Sequence, residues 1–370
     1  DLIPLLNADN YLPTPEIRYW YDRKISSLKN SGLLLAISAH SRLEAIQALG
    51  IAPERIVNIS AAIDSRFQPL LLDADTTATL RNRYGINRSM IMYAPGGFDQ
   101  RKNFKTLIQA YAALAPEHRR NHQLVIASKV TEGDKLRLVN LAKQFDLAPD
   151  ELVLTGYVLD EDLVRLYNMA KLFVFPSLHE GFGLPVLEAM ACGIPTIGSE
   201  TTSVPEVIGR PDALFNPISA DAITRKMAEV LDNPAFAREL RERGLQQAGK
   251  FSWALSAERA LEAFEALNAR VPRVVPGRSA RAELLQSLAA IDTAAKPSEL
   301  DIARAASSIA FNTSSHIPMQ LLLDVSTIVH QDAKSGIQRV VRSILTQLLA
   351  SPPAGFQVRA VYFQNGRYWY

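Results

Sequence analysis

The chain has 370 residues, with 40 Lys and Arg against 38 Asp and Glu and a formal net charge of +2. That length exceeds one ordinary domain, the apolar and charged content is that of a soluble globular protein, and the near-neutral balance leaves no global field for nucleic acid. The single cysteine, Cys192, excludes an internal disulfide or cysteine-rich metal site and fits a reducing compartment, while no apolar run reaches the ~20 residues of a membrane-spanning helix.

The predicted elements begin with apolar runs at 32–38 and 56–59, strands flanking a helix at 41–49. They form the tail of one α/β domain, residues 1–75, joined to the next through a connection at 64–80. Residues 76–250 alternate strands at 89–94, 123–127, 152–154, 172–175 and 196–198 with helices at 104–114, 133–145, 161–170 and 185–192. Phe104, Leu107, Ile108, Tyr111 and Leu114 recur at helical spacing, and Asn103 and Asp160 stand where N-caps belong. Strands that are apolar throughout imply a parallel sheet covered on both faces. The fold class is therefore α/β, a Rossmann-like doubly wound parallel sheet, which binds ligands beyond the carboxyl ends of its strands.

Helices at 220–231 and 235–248 follow, then one at 254–269 that forms a C-terminal helical segment, 251–270. Pro, Arg, Ala and Ser then mark 271–318 as a linker holding weak helices at 280–291 and 298–310. Its Arg270, Arg273, Arg278 and Arg281 read as a solvated run. A strand at 319–325, a polar loop to Gly336, a helix at 337–349 and a strand at 358–363 predict the opening of a further α/β domain, 319–370. The chain starts at Asp1 without methionine or a signal-peptide pattern, so both ends read as cuts through a longer polypeptide.

Two segments carry chemistry. In FVFPSLHEGFGLPVLEAMACG, residues 173–193, a buried strand runs into a glycine-bearing loop and Pro185 opens a helix. Gly181 and Gly183 permit close backbone approach, and the N–H groups of Gly183 and Leu184 at a helix N-terminus make a cradle for a diphosphate. Glu180 in the loop and Glu188 one turn into the helix supply carboxylates suited to sugar and ribose hydroxyls, and both are expected to face one crevice. In PGGFDQRKN, residues 95–103, Gly96 and Gly97 again follow a strand, and Arg101 and Lys102 supply positive charge for a sugar diphosphate.

These residues carry a family resemblance. Glu180 and Glu188 match the paired-glutamate signature of retaining GT-B transferases. EGFGLPVLEAMACGIPTIGS, with GGFDQRKNF and TGYVLDEDL, resembles glycosyltransferase family 4, nearest its mannosyltransferase-like members of bacterial O-antigen and polysaccharide assembly. The resemblance runs from Asp1 to about residue 269, with a second such unit beginning afterwards. It implies a GT-B fold and a retaining hexosyltransferase, mannose preferred. Glu180 would contact donor-sugar hydroxyls, Glu188 the ribose, and Lys102 the diphosphate. Many members carry an arginine where this chain has Gly97, so Arg101 is read as its substitute. Gly96, Gly97, Gly181, Phe182, Gly183 and Leu184 would line the donor, and Tyr157 and Val158 would pack on the base.

The resemblance further implies a GDP- or UDP-sugar as substrate, a glycan or lipid-linked oligosaccharide as acceptor, no cofactor and no metal. It places the protein in the cytoplasm, peripheral at the inner face of the plasma membrane, working with partner domains of the same parent chain. Relatives carry His-Asp-Leu-Ile-Pro where this chain starts with Asp1-Leu2-Ile3-Pro4. The chain alone is therefore expected to bind nucleotide sugar and to turn it over poorly. The alternatives are a nucleotide-sugar epimerase on the same architecture and a non-catalytic nucleotide-sugar-binding module.

The remaining polar residues receive plainer readings. His179 is expected to be a polar loop residue, Cys192 a packed side chain, and Glu206 a structural turn residue. Asp73 and Asp75 are expected on the surface of the connection rather than on a metal. His316 and His330 have no partner in the sequence that suggests a metal. The run from Gly336 to Arg339 resembles the first glycine-bearing loop of a family N-terminal domain.

Overall fold

The computed structural model describes residues 2–270, 286, 298–313, 319–332, 336–364 and 367–370. They fall into two compact units, Asp1–Ala260 with Lys334–Ile344, and Leu261–Ala333 with Leu345–Tyr370. The expected helix at 280–291, most of the linker, Arg273, Arg278, Arg281 and His316 lie outside the described residues.

In the first unit, Leu34–Ala36 (β1) and Ile56–Asn58 (β2) pair in parallel. Helix Ala39–Leu49 lies between them in the chain; Ser38 caps it by accepting from Ser41 N at 2.9 Å, and Gly50 ends it at φ 66°. Leu2, Leu49, Ile51 and Ile56 bury a small core here.

The main sheet comprises Ser89–Tyr93 (β3), His122–Ile126 (β4), Leu152–Leu154 (β5), Ala170–Phe175 (β6), Thr196–Ser199 (β7) and Leu214–Phe215 (β8). All neighbours are parallel, in the order β5-β4-β3-β6-β7-β8. Ile91, Met92, Leu124, Phe173 and Phe175 are completely buried, each contributing about 1.5–3 kcal/mol of apolar burial. The order reverses direction between β3 and β6. That is the topological switch point of a doubly wound sheet, where a crevice opens at the strands' carboxyl ends. The loops leaving β3 and β6 are the two segments singled out above.

Several boundaries and elements differ from expectation. Residues 64–80 are not one connection: helix Ala74–Tyr84 occupies much of the stretch, with Asp73 as its N-cap accepting from Thr76 N at 2.6 Å. Helix Pro15–Asn30 was not anticipated; Ile17, Tyr21, Ile25 and Leu28 recur at helical spacing along it, though none of its residues is buried. Asp160 is the first residue of helix Asp160–Met169 rather than its cap, which is Leu159. Helices Pro116–Asn121 and Val204–Ile208 and the two-residue β8 are too short for periodicity to reveal.

Gly198, inside β7, leaves no room for a side chain. A Cβ there would lie 2.7 Å from Ile208 Cδ1 and 2.9 Å from Val204 Cγ1. Gly198→Ala is expected to cost about 1–3 kcal/mol of stability through overpacking, read as a lowered urea midpoint; an unchanged midpoint would show that these neighbours yield freely.

The second unit contains Met319–Asp324 (β9), helix Ser326–His330, Phe356–Gln364 (β10) and Arg367–Trp369 (β11). β10 pairs parallel with β9 and antiparallel with β11. His330 Nε2 lies 2.6 Å from the Phe363 carbonyl, a partner the sequence did not suggest. No helix among the described residues is long and apolar enough to cross a membrane.

Candidate active site

The loop after β3 turns through Gly96 at φ 70°, a conformation that favours glycine. A Cβ built on Gly96 or Gly97 meets no atom within 4 Å, so both glycines border open space. The loop ends in a single 3-10 turn, Gln100–Lys102, capped by Asp99. Asn103 follows in the left-handed region at φ 57°. It occupies the N-cap position of helix Phe104–Ala112, but its side chain bonds elsewhere: Nδ2 donates to the carbonyls of Pro176 at 3.0 Å and Pro217 at 2.7 Å, and Oδ1 accepts from Thr106 Oγ1 at 2.6 Å. One amide thus pins the first loop to the ends of two other strands.

Arg101 and Lys102 converge on Glu180. Lys102 Nζ donates to Glu180 Oε1 at 2.6 Å, and Arg101 Nη1 to Oε2 at 2.8 Å. Lys102 is only 4% exposed; burial lowers its pKa and Glu180 offsets part of that. Arg101 also donates to Tyr11 Oη and to the His179 carbonyl, each at 3.0 Å. The two loops are stitched further by Leu178 N donating to the Arg101 carbonyl at 2.7 Å and Tyr93 Oη donating to the Lys102 carbonyl at 2.7 Å. The loop after β6 is held from behind as well, since Ser203 Oγ reaches the carbonyls of Glu180 and Phe182 at 2.9 and 2.8 Å, and Glu180 N donates to Thr202 Oγ1 at 3.1 Å.

Gly183, at φ 103°, is the N-cap of helix Leu184–Ala191, with Pro185 in its first turn. The N-terminus of that helix therefore opens at the switch point, as the sequence led us to expect. The two glutamates, expected to face one crevice, belong to separate networks. Glu188 is buried; Tyr167 Oη donates to its Oε2 at 3.0 Å and Arg339 Nη1 to its Oε1 at 3.2 Å. Burial raises the Glu188 pKa, and Arg339 and Tyr167 only partly counter it. The side chain of Phe182 is buried edge-on against Phe251, with ring centroids 5.7 Å apart. Tyr157 is exposed, whereas Val158 packs against the main core.

Residues outside the expected set also shape the site. Glu206 accepts from Ala39 N at 2.8 Å and Asn58 Nδ2 at 3.2 Å, and Ser41 Oγ donates to the Gly181 carbonyl at 3.0 Å. Helix Ala39–Leu49 is thereby tied to the loop after β6. His179, expected to be an ordinary loop residue, lies 2.6 Å from Glu44 of that helix. Tyr11 and Glu44 are far from the motifs in sequence, and no local signal marks them. Cys192 is buried, which pushes its thiol up to about 12 and leaves it an inert packing group. Asp73 and Asp75 are both exposed, the first as a helix cap.

The family model for glycosyl transferases group 1 matches residues 77–247. O-antigen chain mannosyltransferase B of Escherichia coli is 33% identical over 273 residues, which cover 72% of this chain and 68% of that protein. This chain belongs to the group 1 glycosyl transferases. A second member, the serotype-specific mannosyltransferase WbdA of Escherichia coli, is 41% identical over 368 residues, 99% of this chain and 45% of that protein. The chain thus spans less than half the length of WbdA. Sucrose-phosphate synthase from Thermosynechococcus elongatus superposes with a TM-score of 0.56 at 25% identity, covering 67% of this chain and 61% of that one. The fold is GT-B.

Proposed function

We propose that this group 1 chain carries the donor half of a retaining mannosyltransferase of O-antigen or related polysaccharide assembly. In this reading GDP-mannose is the preferred donor, a UDP-sugar the alternative, and a glycan or lipid-linked oligosaccharide the acceptor. The observation that carries it is the pair of cations, Arg101 and Lys102, held on one carboxylate at the switch point. The reading extends to work on the cytoplasmic face of a membrane, peripherally and alongside further domains of a longer parent chain.

The chemistry follows from charge. As the bond between the anomeric carbon and the diphosphate oxygen breaks, negative charge gathers on the departing diphosphate and positive charge on the sugar ring. Arg101, Lys102 and the N-terminus of helix Leu184–Ala191 are preorganised positive groups for that anion, so this step calls for no metal ion. The acceptor hydroxyl oxygen bonds to the anomeric carbon from the leaving group's own face, which retains configuration, and its proton passes to the departing diphosphate oxygen. Glu180 holds both cations in this structure. A bound diphosphate competes for them and leaves the Glu180 carboxylate to receive sugar hydroxyls, while Glu188 receives those of the ribose.

That exchange predicts opposite effects of one substitution. Glu180→Gln removes the competing charge, so GDP is expected to bind about tenfold more tightly, on the order of 1.4 kcal/mol, while mannosyl transfer by the longer parent falls. Calorimetric titration of GDP checks the first half; weaker or unchanged GDP binding in Glu180→Gln would contradict the exchange.

A further inference from the structure

His40, Glu44 and His179 form a group of side chains that the donor chemistry does not use. His40 and Glu44 stand four apart on helix Ala39–Leu49, which puts them on one face, and His179 reaches them from the donor loop. One ligand atom from each lies within 4.8 Å of the others. His40 Nε2 is 3.2 Å and His179 Nε2 is 2.6 Å from Glu44 Oε1. The shorter approach lacks hydrogen-bond geometry: Glu44 Oε2 and His179 Nε2 are both buried with no hydrogen-bond partner among the described residues. Orphaned buried polar atoms are uncommon and ask for a ligand.

We propose that His40, Glu44 and His179 bind a zinc-class divalent cation, separate from the diphosphate site. Two imidazole nitrogens and one carboxylate oxygen are the ligand types zinc takes, with a fourth position left for water. Bonds of about 2.0 Å in tetrahedral geometry put ligand atoms about 3.3 Å apart. The His40–Glu44 separation, 3.2 Å, is already close to that value, and His179 must withdraw from Glu44 by about 0.7 Å. The ion would brace helix Ala39–Leu49 against the donor loop one residue before Glu180, adding to the hydrogen bonds of Ser41 and Glu206 described above.

The test uses the tag-free chain, stripped with chelator and titrated with Zn²⁺ by calorimetry and with Co²⁺ by visible absorption. One zinc per chain, tetrahedral cobalt bands displaced by zinc, and at least about tenfold weaker zinc binding in both His40→Ala and Glu44→Gln are expected. Zinc should also raise the melting temperature of the original chain and leave that of Glu44→Gln unmoved. An octahedral cobalt spectrum, or zinc affinity unchanged in folded His40→Ala, would overturn the assignment.

Discussion

Lys102→Met is expected to weaken binding of GDP-mannose by about 100-fold, on the order of 2.7 kcal/mol. The magnitude is that of a charge-assisted hydrogen bond to phosphate made in a site that excludes water. Lys102 is nearly inaccessible, so water cannot replace it, and the amine is already penalised by burial before any donor arrives. Methionine retains an unbranched apolar stem of nearly the same length and removes the ammonium group with its charge and hydrogen-bond donors. Folding should survive, because Arg101 Nη1 still pairs with Glu180 Oε2 at 2.8 Å. Calorimetry gives the affinity and thermal melting the integrity of the fold. Equal affinity in a folded variant would remove Lys102 from the donor site.

Asn103→Ala should cause the largest loss of stability, about 3–5 kcal/mol. Two buried carbonyls, of Pro176 and Pro217, lose their donor, each at a cost of about 1–3 kcal/mol. Alanine must also hold the left-handed backbone that Asn103 occupies at φ 57°, which costs roughly 1–2 kcal/mol. Asn103→Gly separates the two effects: it relieves the backbone and recovers about 1 kcal/mol while leaving both carbonyls unpaired. Urea unfolding with an unchanged slope measures both variants. A loss below about 1 kcal/mol in Asn103→Ala would mean that the loop refills those bonds by itself.

How far the sequence foretells this molecule follows from the physics of each element. β3, β4 and β6 are buried on both faces, so unbroken apolar runs betray them. The donor loop shows itself because glycines, a helix-opening proline and carboxylates coincide at a strand end. Helix Ala74–Tyr84 stayed hidden because its threonines and charges bury only Leu80. Long-range contacts were also out of reach. Tyr11 meets Arg101 across 90 positions, and Glu44 meets His179 from a helix that looks ordinary. The inward turn of Phe182 depends on Phe251, which lies in a later loop with no motif to announce it.

The donor-site reading requires the switch point between β3 and β6 to hold a nucleotide diphosphate. A crystal structure of the chain soaked with GDP checks this. The diphosphate is expected at the N-terminus of helix Leu184–Ala191, with Arg101 and Lys102 on its oxygens and Glu188 on the ribose hydroxyls. Nucleotide bound elsewhere, with Lys102 still paired to Glu180 and no density between the two glycine-bearing loops, would contradict it.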